Sequence, residues 1–466
     1  MHSPNRIVSK RFRERTLALY PILAEREHLF RFFEYLVFST FTDRNRQHPQ
    51  RVVSRKALLE LLELPATTGS KKFKSIDLLD ESKDCIPLLK LEWSAYDREQ
   101  GKARVITDPG LSSDFLVELN RELSTFHAVP DADKVRYITG ERVRPNVTAD
   151  IRANDVRAVT AVAPQVPEAK RIAAYLNSLP RNLFTTKVTE HINSATKTAQ
   201  ALPSRAQSTL ELTKLHRILT QPQPFYGPSD GANTVRLFAK NTSILSLKNV
   251  VKYAVIQGWT TFDLKSAQLA IVAQDWQVTF LHELLSNPAN DVWRKLCGVF
   301  PTIPMATSKP VVKTAVYSAC YGAQLETIQS DVQLALGVPR AAANALLSHE
   351  LFIHVVAHRQ HQLREIRKSG GATDCFGRFL PAQTKAQVRS VLAQLSQARE
   401  MQLLLPAIDF AEQRANDMRI VLWEHDGFSV HFRRDAQRNE RTKRALLKAV
   451  NDNCQKLGYP TTLIEK

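Results

Sequence analysis

The sequence predicts an α+β protein of more than one domain, with small sheets set among longer helices. Three observations lead there. The chain has 466 residues, more than one compact core usually uses. Apolar residues recur at helical spacing over long stretches, interrupted by short β-prone runs. The composition, 43% hydrophobic and 24% charged with only 15 glycines, is that of a folded chain and excludes wholesale disorder or a collagen-like repeat. No stretch approaches the roughly 18 uncharged apolar residues of a membrane span. Met1-His2-Ser3-Pro4-Asn5-Arg6 has no apolar core behind its charges, as a secretory signal would. A cytoplasmic protein without membrane contact is the expectation.

The elements follow in order. The first 25 residues are basic and polar and read as an arm or a short helix. From Glu27 to Thr42, Phe30, Phe32, Phe33, Tyr35 and Phe38 give a helix with a thick apolar face. Ser54 is a good N-cap for a second helix through Ala57 to Leu62. Leu89, Leu91, Trp93 and Ala95 alternate with Lys90, Glu92, Ser94 and Tyr96 at the strand period, and a polar turn at Glu99-Gln100-Gly101 leads into a return strand through Ile106. Helix, helix and hairpin resemble a winged-helix module, an order many small α+β domains share. Prolines and short polar runs mark Val129 to Pro167 as a linker. Residues 167–220 read as helices decorated with Lys and Arg. Gln221-Pro222-Gln223-Pro224 breaks them, and beyond it short strands alternate with longer helices.

The formal net charge is +18, which favours a polyanionic partner, nucleic acid being the commonest inside a cell. The first 150 residues are nearly balanced, so the excess lies over the C-terminal two thirds rather than in a basic tail. Cys85, Cys297, Cys320, Cys375 and Cys454 are odd in number and lack zinc-ligand spacing. They read as reduced thiols, without a disulfide framework or a zinc site.

Three segments carry the chemistry. In Trp259-Thr260-Thr261-Phe262-Asp263-Leu264-Lys265-Ser266-Ala267-Gln268 a β-prone run ends in one aspartate and passes straight into a helical pattern. A carboxylate there suits either a hard cation or, more blandly, a helix cap. In Ser308 to Gly322, Ser308 reads as a cap and Pro310 as a first-turn residue. Lys309, Lys313, Tyr317 and Tyr321 recur every four residues and share one face, two ammonium groups and then two rings. Such a face suits a triphosphate and a stacked sugar or base; snorkelling lysines over buried tyrosines would look the same. In the third segment, two apolar β-type runs flank His425-Asp426-Gly427, a hairpin with an acidic residue at its tip.

In this order and at these separations the segments resemble motifs A, B and C of family A DNA polymerases. Asn233-Thr234-Val235-Arg236-Leu237 resembles the segment before motif A, and Thr373-Asp374-Cys375-Phe376-Gly377-Arg378-Phe379-Leu380-Pro381 the one between fingers and palm. The resemblance covers about residues 160–466. It implies a right-hand polymerase fold, with a palm built on a small antiparallel sheet and helical fingers and thumb. The implied order is an N-terminal domain over 1–135, a linker and thumb-like region over 136–225, palm over 226–300, fingers over 301–385, and palm again over 386–466.

The resemblance further implies two-metal nucleotidyl transfer with two Mg²⁺ ions, Mn²⁺ substituting, held by Asp263, Asp426 and the Leu264 carbonyl. Lys313 would act on the α-phosphate side and protonate the leaving group, and Lys309 would clamp the γ-phosphate side. Tyr317 would pack on the sugar, Tyr321 would occupy the templating-base position, and Gln268 would crowd a 2′-hydroxyl. Arg236, Gly322, Gln402 and His425 would meet the DNA. The partners implied are a DNA template-primer and dNTPs, with origin DNA or a replication protein recognised through residues 1–135.

The departures are informative. Gln268 stands for the family's glutamate, Gly427 for the motif-C glutamate and Lys309 for an arginine, while Tyr317 stands where many members have phenylalanine. Gly427 is nearer to single-subunit RNA polymerases, so an RNA polymerase or primase is the alternative, and a non-catalytic replication initiator the second. In the N-terminal region Asp97-Arg98-Glu99 has the Asp-x-Glu form of a proofreading site but reads as a polar turn, so no proofreading site is expected. A short polymerase behind a possible recognition module points to replication of a plasmid or phage.

Overall fold

The structure, a computed structural model, describes residues 6–25, 27–38, 51–54, 93–96, 103–106, 111–143, 166–228, 234–287 and 291–466. The chain is α+β, dominated by helices, with its strands in small antiparallel sheets. It divides into two compact units, each assembled from three separate stretches.

The first unit comprises Met1–Val159, Leu179–Phe225 and Ala239–Gln257. Of the two readings of its opening residues, the short helix is the one found, with a strand before it. Strand β1 (Ile7–Ser9) leads into the helix Lys10–Leu19, capped by Ser9 accepting from the Phe12 amide at 3.1 Å. Phe12, Phe30, Phe33, Phe115 and Tyr137 are fully buried together; Phe12 stacks on Tyr137 with centroids 5.7 Å apart. The helix expected over Glu27 to Thr42 is present as Glu27–Phe38, and residues 39–42 lie outside the described residues.

Strands β2 (Arg51–Ser54), β3 (Trp93–Tyr96) and β4 (Ala103–Ile106) form an antiparallel sheet in the order β2-β4-β3. The hairpin therefore exists, with Tyr96 opposite Ala103. Ser54, read as a helix cap, ends β2, and the helix expected at 57–62 lies outside the described residues. Part of the expected linker is also built in. Strand β5 (Lys134–Arg136) pairs antiparallel with β1, Ile7 opposite Arg136, because Val135 and Tyr137 have an apolar core to enter. The helices Arg181–Gln200 and Arg205–Ile218 belong to this unit, burying Phe184, Val188, Leu215 and Ile218.

The second unit comprises Thr160–Ser178, Tyr226–Phe238 and Gly258–Lys466. Strands β6 (Tyr226–Pro228) and β7 (Leu237–Ala239) pair with each other. The main sheet has the order β11-β12-β8-β13, from β8 (Thr260–Leu264), β11 (Met418–Trp423), β12 (Gly427–Phe432) and β13 (Leu463–Glu465). Between β8 and β11 run helices whose apolar faces share one core of Leu269, Leu281, Trp293, Val312, Phe352 and Leu392 among others. A hairpin of β9 (Gly371–Thr373) and β10 (Phe379–Pro381) interrupts them. Asp374 holds its turn, accepting from the Phe376 and Arg378 amides at 3.0 Å each.

The helix carrying the Lys and Tyr series spans Met305–Cys320, one turn earlier than the cap at Ser308 predicts. The Thr307 and Ser308 amides both donate to the Pro304 carbonyl and close the first turn upstream. Ser308 instead donates its hydroxyl to that carbonyl at 3.3 Å, and Pro310 lies inside the helix on an exposed face. Among the described residues no helix is long and apolar enough to cross a membrane.

Candidate active site

Strand β8 carries Asp263, and its neighbour β12 begins directly after Asp426. Gly427 lies opposite Asp263 in the ladder, and the Leu264 amide donates to the Asp426 carbonyl at 2.9 Å. A Cβ on residue 427 would stand 2.3 Å from the Phe262 carbonyl oxygen and 2.8 Å from Asp263 Oδ1. Only a glycine lets the two backbones approach this closely with the Asp263 carboxylate lying over it. Glycine at this position is thus a packing requirement of this sheet.

The closeness has an electrostatic consequence. Burial, and then the negative charge of Asp426, push the Asp263 pKa up to about 6; Lys466 and Lys313 act in the opposite direction. Lys466 Nζ stands 2.7 Å from Asp263 Oδ2. Behind Asp263 the chain turns through Ser266, at φ 54° and ψ 37° in the left-handed region, where a side chain is strained. Its hydroxyl accepts from Trp293 Nε1 at 3.0 Å. That turn starts the helix Ala267–Asp275 and places Gln268, 1% exposed. Both ends of its amide are engaged: Oε1 accepts from the Tyr321 hydroxyl at 2.9 Å, and Nε2 donates to Ser396 Oγ at 3.2 Å.

From the helix Met305–Cys320, Lys313 Nζ stands 5.2 Å from the Tyr317 ring centroid, a cation–π contact. The Tyr317 ring meets Trp293 edge-on at 6.0 Å. Its hydroxyl is buried without a hydrogen-bond partner among the described residues. Burial and the Asp426 charge raise its pKa. Lys313 therefore acts on Asp263 and Tyr317 lies within the field of Asp426. Lys309, one turn earlier, is exposed. Tyr321 is the last residue of the turn, and Gly322 follows at φ 87°, buried, where a Cβ would meet the Arg389 side chain at 3.1 Å. Arg359 closes this end, its NH1 donating to the Ala319 and Ala323 carbonyls at 3.0 and 3.1 Å.

A second polar group adjoins the first. Arg236 pairs with the buried Glu400 and hydrogen-bonds Tyr321. Burial works against the Arg236 charge, yet Glu400 and Tyr321 outweigh it and raise its pKa; burial raises that of Glu400 too. The His425 ring lies 5.4 Å from that of Phe238 at the hairpin tip. Crowding by neighbouring atoms and then the Arg236 charge lower its pKa, although part of the ring stays open to solvent. Asn233, upstream of Arg236, lies outside the described residues.

The structure thus brings together Asp263, Leu264, Asp426, Lys313, Tyr317, Tyr321, Gln268, Arg236 and His425, with Lys309 one helical turn away. It does not bring Gln402. That side chain lies about 200° round the helix Lys385–Gln413 from Glu400, accepting from Arg399 NH1 at 2.5 Å. The side chain that reaches Arg236 from this helix is Glu400. Sequence reasoning missed Glu400, Lys466 and Arg359. A charge at 400 next to an apolar run was a signal for the first; the others meet their partners only through tertiary packing.

Among the described residues no group of three or more His, Cys, Asp or Glu side chains converges on one point. The donor set is two carboxylates, close enough that the Asp426 charge raises the proton affinity of Asp263. Mg²⁺ suits that set, since it takes one or two carboxylates and completes its shell with water and phosphate oxygens.

No family model and no curated protein matches this chain. Among solved structures it is similar to the polymerase domain of Pol1 from M. smegmatis, in complex with DNA primer-template and dNTP. The identity is 14% and the TM-score 0.44, over 74% of this chain and 65% of that one, so the chain spans about two thirds of that structure's length.

Proposed function

We propose that the chain is a template-directed DNA polymerase, a nucleotidyltransferase that works in replication of a plasmid or phage. One observation carries the reading: Asp263 and Asp426 sit side by side on hydrogen-bonded strands, with Lys313 and Tyr317 projecting from one helix face into their field. Divalent cations held by Asp263, Asp426 and the Leu264 carbonyl would activate the primer 3′-hydroxyl and neutralise charge on the phosphates. Lys309 and Lys313 would hold the triphosphate, with Lys313 placed to give a proton to the leaving pyrophosphate. Lys466 would release Asp263 as the cations arrive.

The orphaned Tyr317 hydroxyl would face the sugar of the incoming nucleotide. Gln268, buried and tied at both ends, supplies bulk where a 2′-hydroxyl would lie, which favours dNTPs over rNTPs. Tyr321 would leave its bond to Gln268 when the templating base enters. Arg236, His425 and Gly322 would border the primer and template strands. The helices Arg181–Gln200 and Arg205–Ile218 would serve as thumb, and the hairpin module of the first 135 residues would recognise origin DNA or a replication protein.

The test is extension of a primed template with Mg²⁺ and each of dNTPs and rNTPs. Extension with dNTPs is expected. Equal use of both pools would replace the reading with an RNA polymerase or primase. No extension with either, alongside intact DNA binding, would leave a non-catalytic initiator.

A further inference from the structure

At the opposite end of the β11–β12 hairpin from Asp426 lies a second cluster, of the opposite sign. It precedes the six residues of β11, which puts it roughly 20 Å from the tip at the rise of a strand. Its centre is Asp417, 5% exposed. Arg434 Nε and Arg438 NH2 each stand 3.0 Å from Asp417 Oδ1, and Arg414 NH1 stands 3.9 Å from Oδ2. Arg433 NH1 donates to the Ala415 carbonyl at 3.0 Å. Arg441, one turn beyond Arg438 on the helix Ala436–Lys456, is exposed and has no ion-pair partner among the described residues. Arg414, Arg438, Arg441 and Asp417 line a concavity of about 540 Å³. Asp435, the other carboxylate there, caps the helix by accepting from the Arg438 amide at 2.9 Å.

The guanidinium groups outnumber the carboxylates, and one buried aspartate pins several of them at once. A guanidinium has five donors; Arg434 and Arg438 each spend one on Asp417, Arg414 stands beside it, and the remaining donors of these three and all those of Arg441 are left for a ligand. Pinning removes side-chain entropy before any ligand arrives, which is the preorganisation that strengthens binding. The ligand must be an anion with planar-fork acceptors, and phosphate is the match for arginine. One free phosphate would leave most of the excess charge unmet, whereas successive phosphates along a strand would meet Arg414, Arg438 and Arg441 together. We propose that this arginine cluster is a second nucleic-acid site, taking a phosphodiester backbone independently of base sequence and apart from the candidate active site.

The test uses the full chain and a fluorescein-labelled oligonucleotide, followed by anisotropy at several salt concentrations. Neither dNTP nor divalent cation is present, so the outcome does not depend on extension activity. Arg441→Glu should weaken binding about tenfold at low salt and reduce the slope of log K against log salt by about 1 or more. Arg441→Lys should keep most of the affinity. Arg438→Ala should act in the same direction; because Arg438 also holds Asp417, Arg441→Glu carries the test if that variant fails to fold. A photocrosslinking residue at Gln437, which lines the concavity, should join to the oligonucleotide in the parent chain and not in the Arg441→Glu background. An unchanged affinity and slope for Arg441→Glu, or no crosslink from 437, would overturn the proposal. So would loss of binding to vesicles of anionic lipid without loss of binding to the oligonucleotide.

Discussion

The two ends of one hairpin hold opposite charges, and neither end is neutral. At the tip, the buried Asp263 and the half-buried Asp426 stand side by side with one close ammonium, from Lys466. At the base, Asp417 alone answers the guanidinium groups of Arg414, Arg434 and Arg438. A sequence shaped for stability alone would pair or remove these charges. Their retention on a well-packed sheet, with Phe262 and Phe428 fully buried, is what the two proposed sites, each taking a counter-charge, would require. The difference lies in how each is held. Strand pairing and a glycine enforce the acidic end; long side chains gathered on a single carboxylate make the basic one.

The largest expected effect breaks the acidic end. Asp426→Asn or Asp263→Asn should lower single-turnover primer extension by at least ~10³-fold, because a carboxylate that stabilises the transferring phosphoryl charge is gone. Affinity for primed DNA, measured by anisotropy, should stay near that of the parent. A variant that still extends at the parent rate would remove the carboxylates from the chemistry.

Next comes the device that enforces the approach. Gly427→Ala places a methyl group 2.3 Å from the Phe262 carbonyl oxygen, so the strands must part. Urea denaturation should show a loss of ~2 kcal/mol or more. A change within 0.5 kcal/mol would mean the sheet has slack there.

The third effect concerns what the close carboxylates do to stability. The folded pKa of Asp263, about 6, lies above the ~3.9 of an unfolded aspartate. The folded chain therefore holds this proton more tightly, and stability is lost as pH rises from about 4 to about 6. Asp263→Asn cannot ionise. With chelator present at pH 8 it should be more stable than the parent by ~1–2 kcal/mol, and the gap should close near pH 4. A parent that is the more stable at pH 8 would show that Lys466 neutralises the pair.

The smallest effect isolates that lysine. Lys466→Met should tighten Mn²⁺ binding, measured calorimetrically, by roughly 3- to 10-fold, a modest gain because the ammonium is partly in solvent and screened. Weaker binding would make Lys466 a support for the site rather than a competitor in it.

Much of the acidic end was legible from the chain. Asp263 is announced by a β-prone run passing straight into a helical pattern, and Lys313 with Tyr317 by spacing of four. These signals are local, and local geometry is what a sequence encodes most directly. The failures are long-range. Ile7 opposite Arg136 joins two three-residue strands that no periodicity reveals, so one read as part of an arm or a short helix and the other as a linker. Glu400, which no motif marks, reaches Arg236 only through the phase of its helix. The arginines around Asp417 are visible in sequence as basic residues, but their convergence on one carboxylate comes from the pairing of β11 with β12, which sets Met418 opposite Phe432 and so brings the residues after β12 to those before β11.

Arg359 has a mechanical consequence. From the helix Glu350–Lys368 it grips the Ala319 carbonyl in the last turn of the Met305–Cys320 helix and the Ala323 carbonyl just beyond that helix, so the two helices cannot swing separately without leaving these carbonyls bare. Any stroke that carries Lys309 and Lys313 toward the aspartates must carry both helices as one lever. The pivots then fall at its ends. Pro304 precedes the first helix, and Gly370 follows the second at φ 66° with open space where a side chain would be.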